Sequence, residues 1–282
     1  MKGAYSAQMH NAKSHEARIG SDDMSVNDVA DTASTSLFGI NFSNATIDTI
    51  LDHVISHPAP PGDGAQLMVT TNVDHVVLLR EHKGLKEAYN NAWIRTIDGM
   101  PVLIYSYIRQ KKIPGRVTGA DFFAKLMERF TPGKYKLFFV VADDRIEQGL
   151  RAWAAKHDLL DDIDIAIPPF GFERDGAYGN ALADRIRVHR TTHLFFGVGC
   201  PRSEIWIDSH RRELGDCYAF AVGAAVGFFA GTIHRAPPIM RQLGLEWIWR
   251  MLGEPRRLGP RYLVRSWGFL LSVRDDLMRK AP

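Results

Sequence analysis

The run Trp93-Ile94-Arg95-Thr96-Ile97-Asp98-Gly99-Met100-Pro101 ends an apolar stretch abruptly on a carboxylate. A strand that meets Gly and Pro has to turn at once, and in open α/β sheets the crevice beyond the carboxyl ends of the strands is where ligands bind. Asp98 is therefore the leading candidate for a general base, with a turn-forming or helix-capping Asp as the ordinary alternative. Upstream, Val69-Thr70-Thr71-Asn72 offers a hydroxyl and an amide to the same crevice, groups suited to a polyol or a nucleotide, although Asn72 also reads as the cap of a following helix. Downstream stands Gly197-Val198-Gly199-Cys200-Pro201-Arg202-Ser203-Glu204. Gly197 and Gly199 permit close backbone approach, and Pro201 at a helix start leaves N–H groups aimed at an anion. A dinucleotide-binding oxidoreductase remains an alternative here, but it would want a third glycine where Arg202 stands and would place the run at the first strand. No Gly-Lys-Ser/Thr phosphate loop occurs.

Metal chemistry finds little support in the residue pattern. The one Asp-x-Asp spacing, Asp162-Ile163-Asp164, opens a strand and so lies at the wrong end of a sheet to hold a metal on a nucleotide. Asp143-Asp144 reads as a helix cap, and neither Cys200 nor Cys217 has a second Cys or a His at metal-ligand spacing. No metal or other cofactor is expected.

These residues need a scaffold, and the chain supplies an alternating one. Apolar runs near 36–40, 66–70, 93–97, 135–142, 163–167, 193–198 and 217–222 are too continuous to be one-faced and predict buried strands. Between them, 45–56, 73–90, 119–131, 144–157, 176–190 and 201–213 carry apolar spacings of three and four, several opened by capping residues such as Ser43 or Asp143. Strand and helix in alternation imply βαβ units: an α/β fold, Rossmann-like, with a mainly parallel sheet covered by helices on both faces. The uncharged stretch Cys217–Ile233, with Gly223, Gly227 and Gly231 at four-residue spacing, has the look of a packed membrane helix. At 17 residues it is at the short limit for a span, and it reads better as a buried strand turning into a Gly-rich helix.

Residues 1–35, rich in Ser, Asp, Ala and Asn without periodicity, are expected to be disordered, leaving 36–234 as the α/β core. Residues 235–282 form a basic amphipathic appendage with ten Lys or Arg against four Asp or Glu, so this segment carries +6 and the rest of the chain −3 of the total +3. A helix to about Leu252, a break at Gly253-Glu254-Pro255 and an Arg-rich aromatic stretch to Leu277 are expected there. Such asymmetry points to an anionic partner: nucleotide phosphates, nucleic acid or an anionic membrane surface. A non-enzymatic membrane-binding scaffold is accordingly a second alternative. Two cysteines cannot make a disulfide framework and the N-terminus lacks a secretory pattern, which fits a reducing cytosol.

Taken in order, Thr70-x-Asn72, Asp98-Gly99, Arg116-Val117-Thr118-Gly119-Ala120-Asp121, Gly197-x-Gly199-x-Pro201-x-x-Glu204, Gly231-x-x-x-Arg235-Ala236-Pro237, Gly244-Leu245-Glu246-Trp247 and Glu254-Pro255-x-Arg257 form a series. That series closely resembles the WecG/TagA/CpsF glycosyltransferases, glycosyltransferase family 26, over roughly residues 36–265. The resemblance implies an inverting, metal-independent transferase that moves a hexose from a UDP-sugar to a polyprenyl-diphosphate-linked sugar, in bacterial surface or exopolysaccharide biosynthesis. It implies Asp98 as the base and Thr70 and Asn72 as sugar-pocket residues. It further implies that Gly99, Gly119, Asp121, Gly197, Gly199, Pro201, Ser203, Glu204 and Arg235 lie at the substrate. The appendage would close the site with Arg250, Arg257 and Arg261 on the diphosphate, and would touch the inner face of the cell membrane. On this reading the protein is cytoplasmic and peripheral, needs no nucleic acid, and forms a dimer or trimer. Three positions depart from the family pattern: Ser203 stands where Gln is usual, Gly227 where many members have Asp, and Arg261 one residue beyond an expected Arg. They bear on the donor, whether glucose, N-acetylmannosamine or a relative, more than on the reaction.

Overall fold

A computed structural model describes residues 34–111 and 113–279, apart from the side chains of Arg257, Arg261 and Val264. The expected disorder of residues 1–35 falls almost wholly outside the described residues.

Six strands make one parallel sheet: β3 (Gln66–Thr71), β4 (Ile94–Ile97), β5 (Leu137–Val140), β6 (Ile163–Ala166), β7 (His193–Phe196) and β8 (Tyr218–Ala221), in the order β4-β3-β8-β7-β5-β6. Every pairing among them is parallel. The β-region side chains alternate between two apolar layers, as the two-residue period of a strand requires. Leu67, Val69, Phe138, Val140, Leu194 and Phe196 enter one layer, Met68, Leu137, Phe139, Phe195 and Phe220 the other. Residues of α1 (Ile47–Ser56), α5 (Gly119–Met127), α6 (Asp144–Lys156) and α9 (Ala225–Phe229) fill the second layer. Those of α2 (Val73–Leu78), α3 (Lys83–Asn91), α4 (Met100–Ile108), α7 (Gly176–Val188) and α8 (Arg202–Ser209) fill the first. Burial on both faces is why these strands read as continuous apolar runs.

Several expectations need correction. The run at 36–40 is not one strand of the main sheet: it holds the end of β1 (Thr35–Leu37), a two-residue turn and the start of β2 (Ile40–Phe42), which pair antiparallel in a separate hairpin. Its two central residues, Phe38 and Gly39, both have left-handed backbones, φ 57° and 73°, the geometry of the tightest hairpin turns. The helix expected over 73–90 is two, α2 and α3, broken at Leu79–His82. Helix α1 is capped by Thr46, whose side chain accepts the Thr49 N–H, and not by Ser43. Helix α4 was not anticipated, because Gly99-x-Pro101 signals a stop; the proline instead occupies its first turn, where no N–H partner is needed. Cys217–Ile233 forms β8 and α9 inside the fold, and among the described residues no helix is long and apolar enough to cross a membrane.

Beyond residue 235 lie α10 (Pro238–Gln242), α11 (Glu246–Gly253), α12 (Pro255–Gly259), a π-helical turn (Pro260–Arg265) and α13 (Trp267–Met278). The break at Gly253–Pro255 is where it was expected, but Gly244, with φ 72°, adds an earlier one. Helix α13 lies close on α2: a Cβ at Gly268 would stand 2.9 Å from Val77 Cγ1. Its far end is held by the buried Asp276 carboxylate, which accepts the Phe38 N–H (2.6 Å), the Tyr105 hydroxyl (2.9 Å) and Arg109 Nη1 (2.7 Å).

Candidate functional site

The sheet order reverses between β3 and β8, and the loops leaving β3, β4, β7 and β8 diverge around a cavity of about 800 Å³. This is the crevice that a doubly wound sheet offers a ligand. Thr70, Asn72, Asp98, Gly99, Gly119, Asp121, Gly197, Gly199, Ser203, Glu204, Arg235 and Arg250 all contribute to its wall, gathered from sequence separations of up to 180 positions. The tail covers one side through Gly244, Glu246, Trp247, Arg250, Glu254, Tyr262, Ser266 and Phe269. A smaller cavity of about 540 Å³, between the hairpin, α3 and α13, holds none of the expected site residues.

Asp98 follows the last residue of β4, and its N–H and that of Gly99 both donate to Thr71 O, at 2.8 and 3.2 Å. These bonds stitch the strand ends of β3 and β4 together and set the carboxylate beside Asn72. Gly99 is needed for that closeness, since a Cβ there would lie 3.0 Å from Asn72 Cα. By surface exposure Asp98 is half-buried, yet protein atoms crowd it densely, and the crowding governs its proton. Burial pushes its pKa up to about 6, the Glu246 carboxylate adds to the rise, and Arg116 and Arg250 oppose it. A carboxylate so tuned is ionised at neutral pH while still holding a proton well enough to act as a base.

Asn72 is the N-cap of α2: its Oδ1 accepts the N–H groups of Asp74 (3.0 Å) and His75 (3.3 Å). With that oxygen committed, the amide nitrogen is what Asn72 has left to offer a ligand. Thr70 is buried at the cavity wall, where its Oγ1 lies 3.2 Å from the position of a Cβ at Gly119. Ser203 is buried and its hydroxyl donates back to Gly199 O at 3.2 Å. Gly227 also lines the cavity, and the Ile233 side chain occupies the space a Cβ there would take. Pro201 is the N-cap of α8 and not part of the wall. Arg202 reaches back to donate to Val198 O (2.7 Å), bracing the glycine loop where a third glycine would serve a dinucleotide.

Positive charge comes from both core and tail. Arg235 Nη2 donates to Asp121 Oδ1 (2.7 Å), Arg241 Nη1 lies 3.9 Å from the same oxygen, and Arg116 Nη2 donates to Arg241 O (2.9 Å). Burial would raise the Asp121 pKa, but Thr118 and the two arginines override it and hold the carboxyl below its usual range. Arg250 stacks over Phe228 with its guanidinium carbon 5.7 Å from the ring centre. The Nε atoms of Arg235 and Arg241 are buried without a hydrogen-bond partner among the described residues. Arg257 lies in α12 and Arg261 in the π turn, and their side chains fall outside the described ones.

Could a metal bind? His75, Cys200 and Glu204 bring one donor atom each within 4.8 Å of one another. The Asn72 N–H, however, donates to His75 Nδ1 at 3.1 Å, so the neutral ring carries its proton on Nε2, the nitrogen facing Glu204 Oε1 at 3.5 Å. A protonated nitrogen has no lone pair for a cation, and the trio as arranged does not suit one. Asp162 and Asp164 sit at the amino end of β6, as expected, engaged by Gly133 N, Lys136 and Arg185. Asp143 caps α6.

His75, Arg116, Arg241 and Glu246 escaped the sequence reading of the site. Arg116 and Glu246 stand inside quoted motifs and were legible there; the Asn72–His75 pair has capping-box spacing; Arg241 carries no local signal.

A sequence model described as the Glycosyl transferase WecG/TagA/CpsF family matches residues 35–282. Among similar proteins are three from Staphylococcus aureus, strains MW2, NCTC 8325 / PS 47 and MRSA252, each named N-acetylglucosaminyldiphosphoundecaprenol N-acetyl-beta-D-mannosaminyltransferase. Each is 25% identical over 240 residues, covering 84% of this chain and 91% of the relative.

Proposed function

Since the chain belongs to the WecG/TagA/CpsF glycosyltransferase family, we propose that it transfers a hexose from a UDP-sugar to a sugar carried on a polyprenyl diphosphate, with inversion at the anomeric carbon. The observation that carries the reading is the meeting, in one crevice, of an elevated carboxylate with a group of arginines from core and tail. The Asp98 carboxylate takes the proton of the acceptor hydroxyl as its oxygen attacks the anomeric carbon. The bond to the UDP oxygen breaks, and the electron pair leaves with the diphosphate. Positioned base catalysis of this kind contributes about 10² to 10⁴ in rate.

Arg116, Arg235, Arg241 and Arg250 stabilise the departing diphosphate by charge-assisted hydrogen bonds, with Arg257 and Arg261 joining from the tail. The Nε–H groups of Arg235 and Arg241, buried and without a partner among the described residues, support an anionic occupant. Thr70 and the Asn72 amide hold the donor sugar. The acceptor is lipid-linked, as the names of the staphylococcal relatives say of theirs, and the tail meets the membrane that carries it. Trp267 (69% exposed), Leu270 (56%) and Leu271 (46%) stand near the exposed Arg265 and Arg274, a composition suited to an anionic bilayer interface. The protein works at the cytoplasmic face, peripherally, and associates with copies of itself.

The test is incubation with a panel of UDP-hexoses and a short-chain lipid-diphosphate N-acetylglucosamine, with the product identified by mass spectrometry. One donor should be consumed and one glycosyl unit added to the lipid. UDP at ten times its Kd should stabilise the fold by about 1.4 kcal/mol, raising Tm by roughly 3–6 °C. No transfer from any donor, together with no stabilisation by millimolar UDP, would overturn the proposal.

A further inference from the structure

We infer that Glu204 and His75 are positioning residues for the reaction: Glu204 holds the His75 ring, and the ring holds the Asn72 backbone against Gly99 and Asp98. The inference rests on Asn72 and Asp98 forming the reaction site.

Glu204 and His75 are buried, 3% and 7% exposed, in walls contributed by different parts of the chain. Glu204 lies in the first turn of α8, behind the glycine loop that follows β7, whereas His75 lies in the first turn of α2, behind the Thr70-x-Asn72 run that ends β3. The ring joins the two. Its Nδ1 accepts the Asn72 N–H at 3.1 Å, and its Nε2–H faces Glu204 Oε1 at 3.5 Å. A backbone N–H can only donate, so Nδ1 is the acceptor and the proton of the neutral ring sits on Nε2, on the side of the Glu204 carboxylate. Asn72 is fixed twice by its own helix start, through the ring on its N–H and through its Oδ1 on the N–H groups of Asp74 and His75. The residue pinned in this way is the one on which the Asp98 turn leans, where a Cβ at Gly99 would already touch Asn72 Cα and Cβ at 3.0 and 3.2 Å.

The chain of contacts runs Glu204, His75, Asn72, Gly99, Asp98, and links the glycine loop of β7 to the carboxylate of β4. The second Glu204 oxygen, Oε2, is buried and makes no hydrogen bond among the described residues. This carboxylate is assigned to the ring in front of it, although Glu204 also lines the cavity. This differs from a role for Glu204 in binding substrate, and the difference is measurable.

Glu204→Gln keeps an oxygen acceptor for Nε2–H, while Glu204→Ala removes it. Hydrogen exchange of the Asn72 amide reads the position of the ring without reference to activity, and the Ala219 amide in the buried strand β8 reports whether the fold is intact. In Glu204→Ala the Asn72 amide should exchange at least tenfold faster with Ala219 unchanged, and kcat should fall at least tenfold. Glu204→Gln should keep slow Asn72 exchange and stay within about threefold of the parent in both kcat and donor KM. His75→Ala removes the link without touching α8; it should copy Glu204→Ala, and supplies the test should that variant lose its fold. Unchanged Asn72 exchange in both alanine variants would overturn the inference. So would a Glu204→Gln variant whose donor KM rises as far as that of Glu204→Ala, the mark of a carboxylate that touches the sugar. Faster Asn72 exchange with undiminished transfer would likewise overturn the inference, whereas normal turnover by Asp98→Asn would instead overturn the reading of the reaction on which it rests.

Discussion

Replacing Asp98 by Asn should abolish transfer while making the protein more stable, and the two effects have one cause. The Asp98 carboxyl is raised from 3.8 to about 6 by burial and the nearby Glu246. Between those two values the folded state binds a proton that the unfolded chain releases, so stability falls as pH rises through this window and the cost is complete above pH 6. A displacement of roughly two units corresponds to about 3 kcal/mol at neutral pH as an upper bound. Asp98→Asn removes the charge and keeps the shape, so denaturant unfolding at pH 7 should show a gain of up to about 3 kcal/mol, shrinking toward zero below pH 4. On the activity side, a base with a pKa of about 6 is about nine-tenths ionised at pH 7 and about one-tenth at pH 5. The kcat/KM of the parent should therefore drop roughly tenfold between those pH values. Glu246→Gln takes away a charge that raises the carboxyl, and should move this acid limb to lower pH. An acid limb near pH 4, or an Asp98→Asn protein that is less stable and still turns over, would refute the reasoning.

Two further outcomes follow from the tail. Asp276 is buried with three donors, so Asp276→Asn, which weakens all three and strands Arg109, should cost about 3 kcal/mol in chemical unfolding; a loss under 1 kcal/mol would mean that α13 is held elsewhere. Replacing Trp267, Leu270 and Leu271 together by Ser should lower partitioning onto anionic vesicles at least tenfold with Tm within about 2 °C of the parent, since all three are exposed; unchanged partitioning would place the membrane contact on another surface.

The α/β class and the crevice were legible because their causes are local. Strands buried on both faces must be apolar throughout, and Asp98-Gly99, Thr70-x-Asn72 and Gly197-x-Gly199 each follow such a run, so the carboxyl end of the sheet can be read residue by residue. The hairpin at Phe38–Gly39 was misread because an apolar run of five does not reveal that its middle turns back; the left-handed Phe38 is held by Asp276, which is 238 positions away. Helix α4 was hidden by a proline that stops a helix in the interior and starts one at its first turn.

What the amino-acid order determined by itself is the set of layers, the end of the sheet at which the crevice opens, and the family. What only the tertiary structure decided is which charges meet there. Glu246 and Arg250 come from the tail and Arg116 from the loop before α5, and it is their convergence with burial that sets the proton affinity of Asp98. Electrostatic interaction depends on distance and on the exclusion of water, and neither is a property of sequence spacing. The same holds for Glu204: its motif marks it for the crevice, but only the fold brings its carboxylate to 3.5 Å from the His75 ring, 129 positions away in the chain.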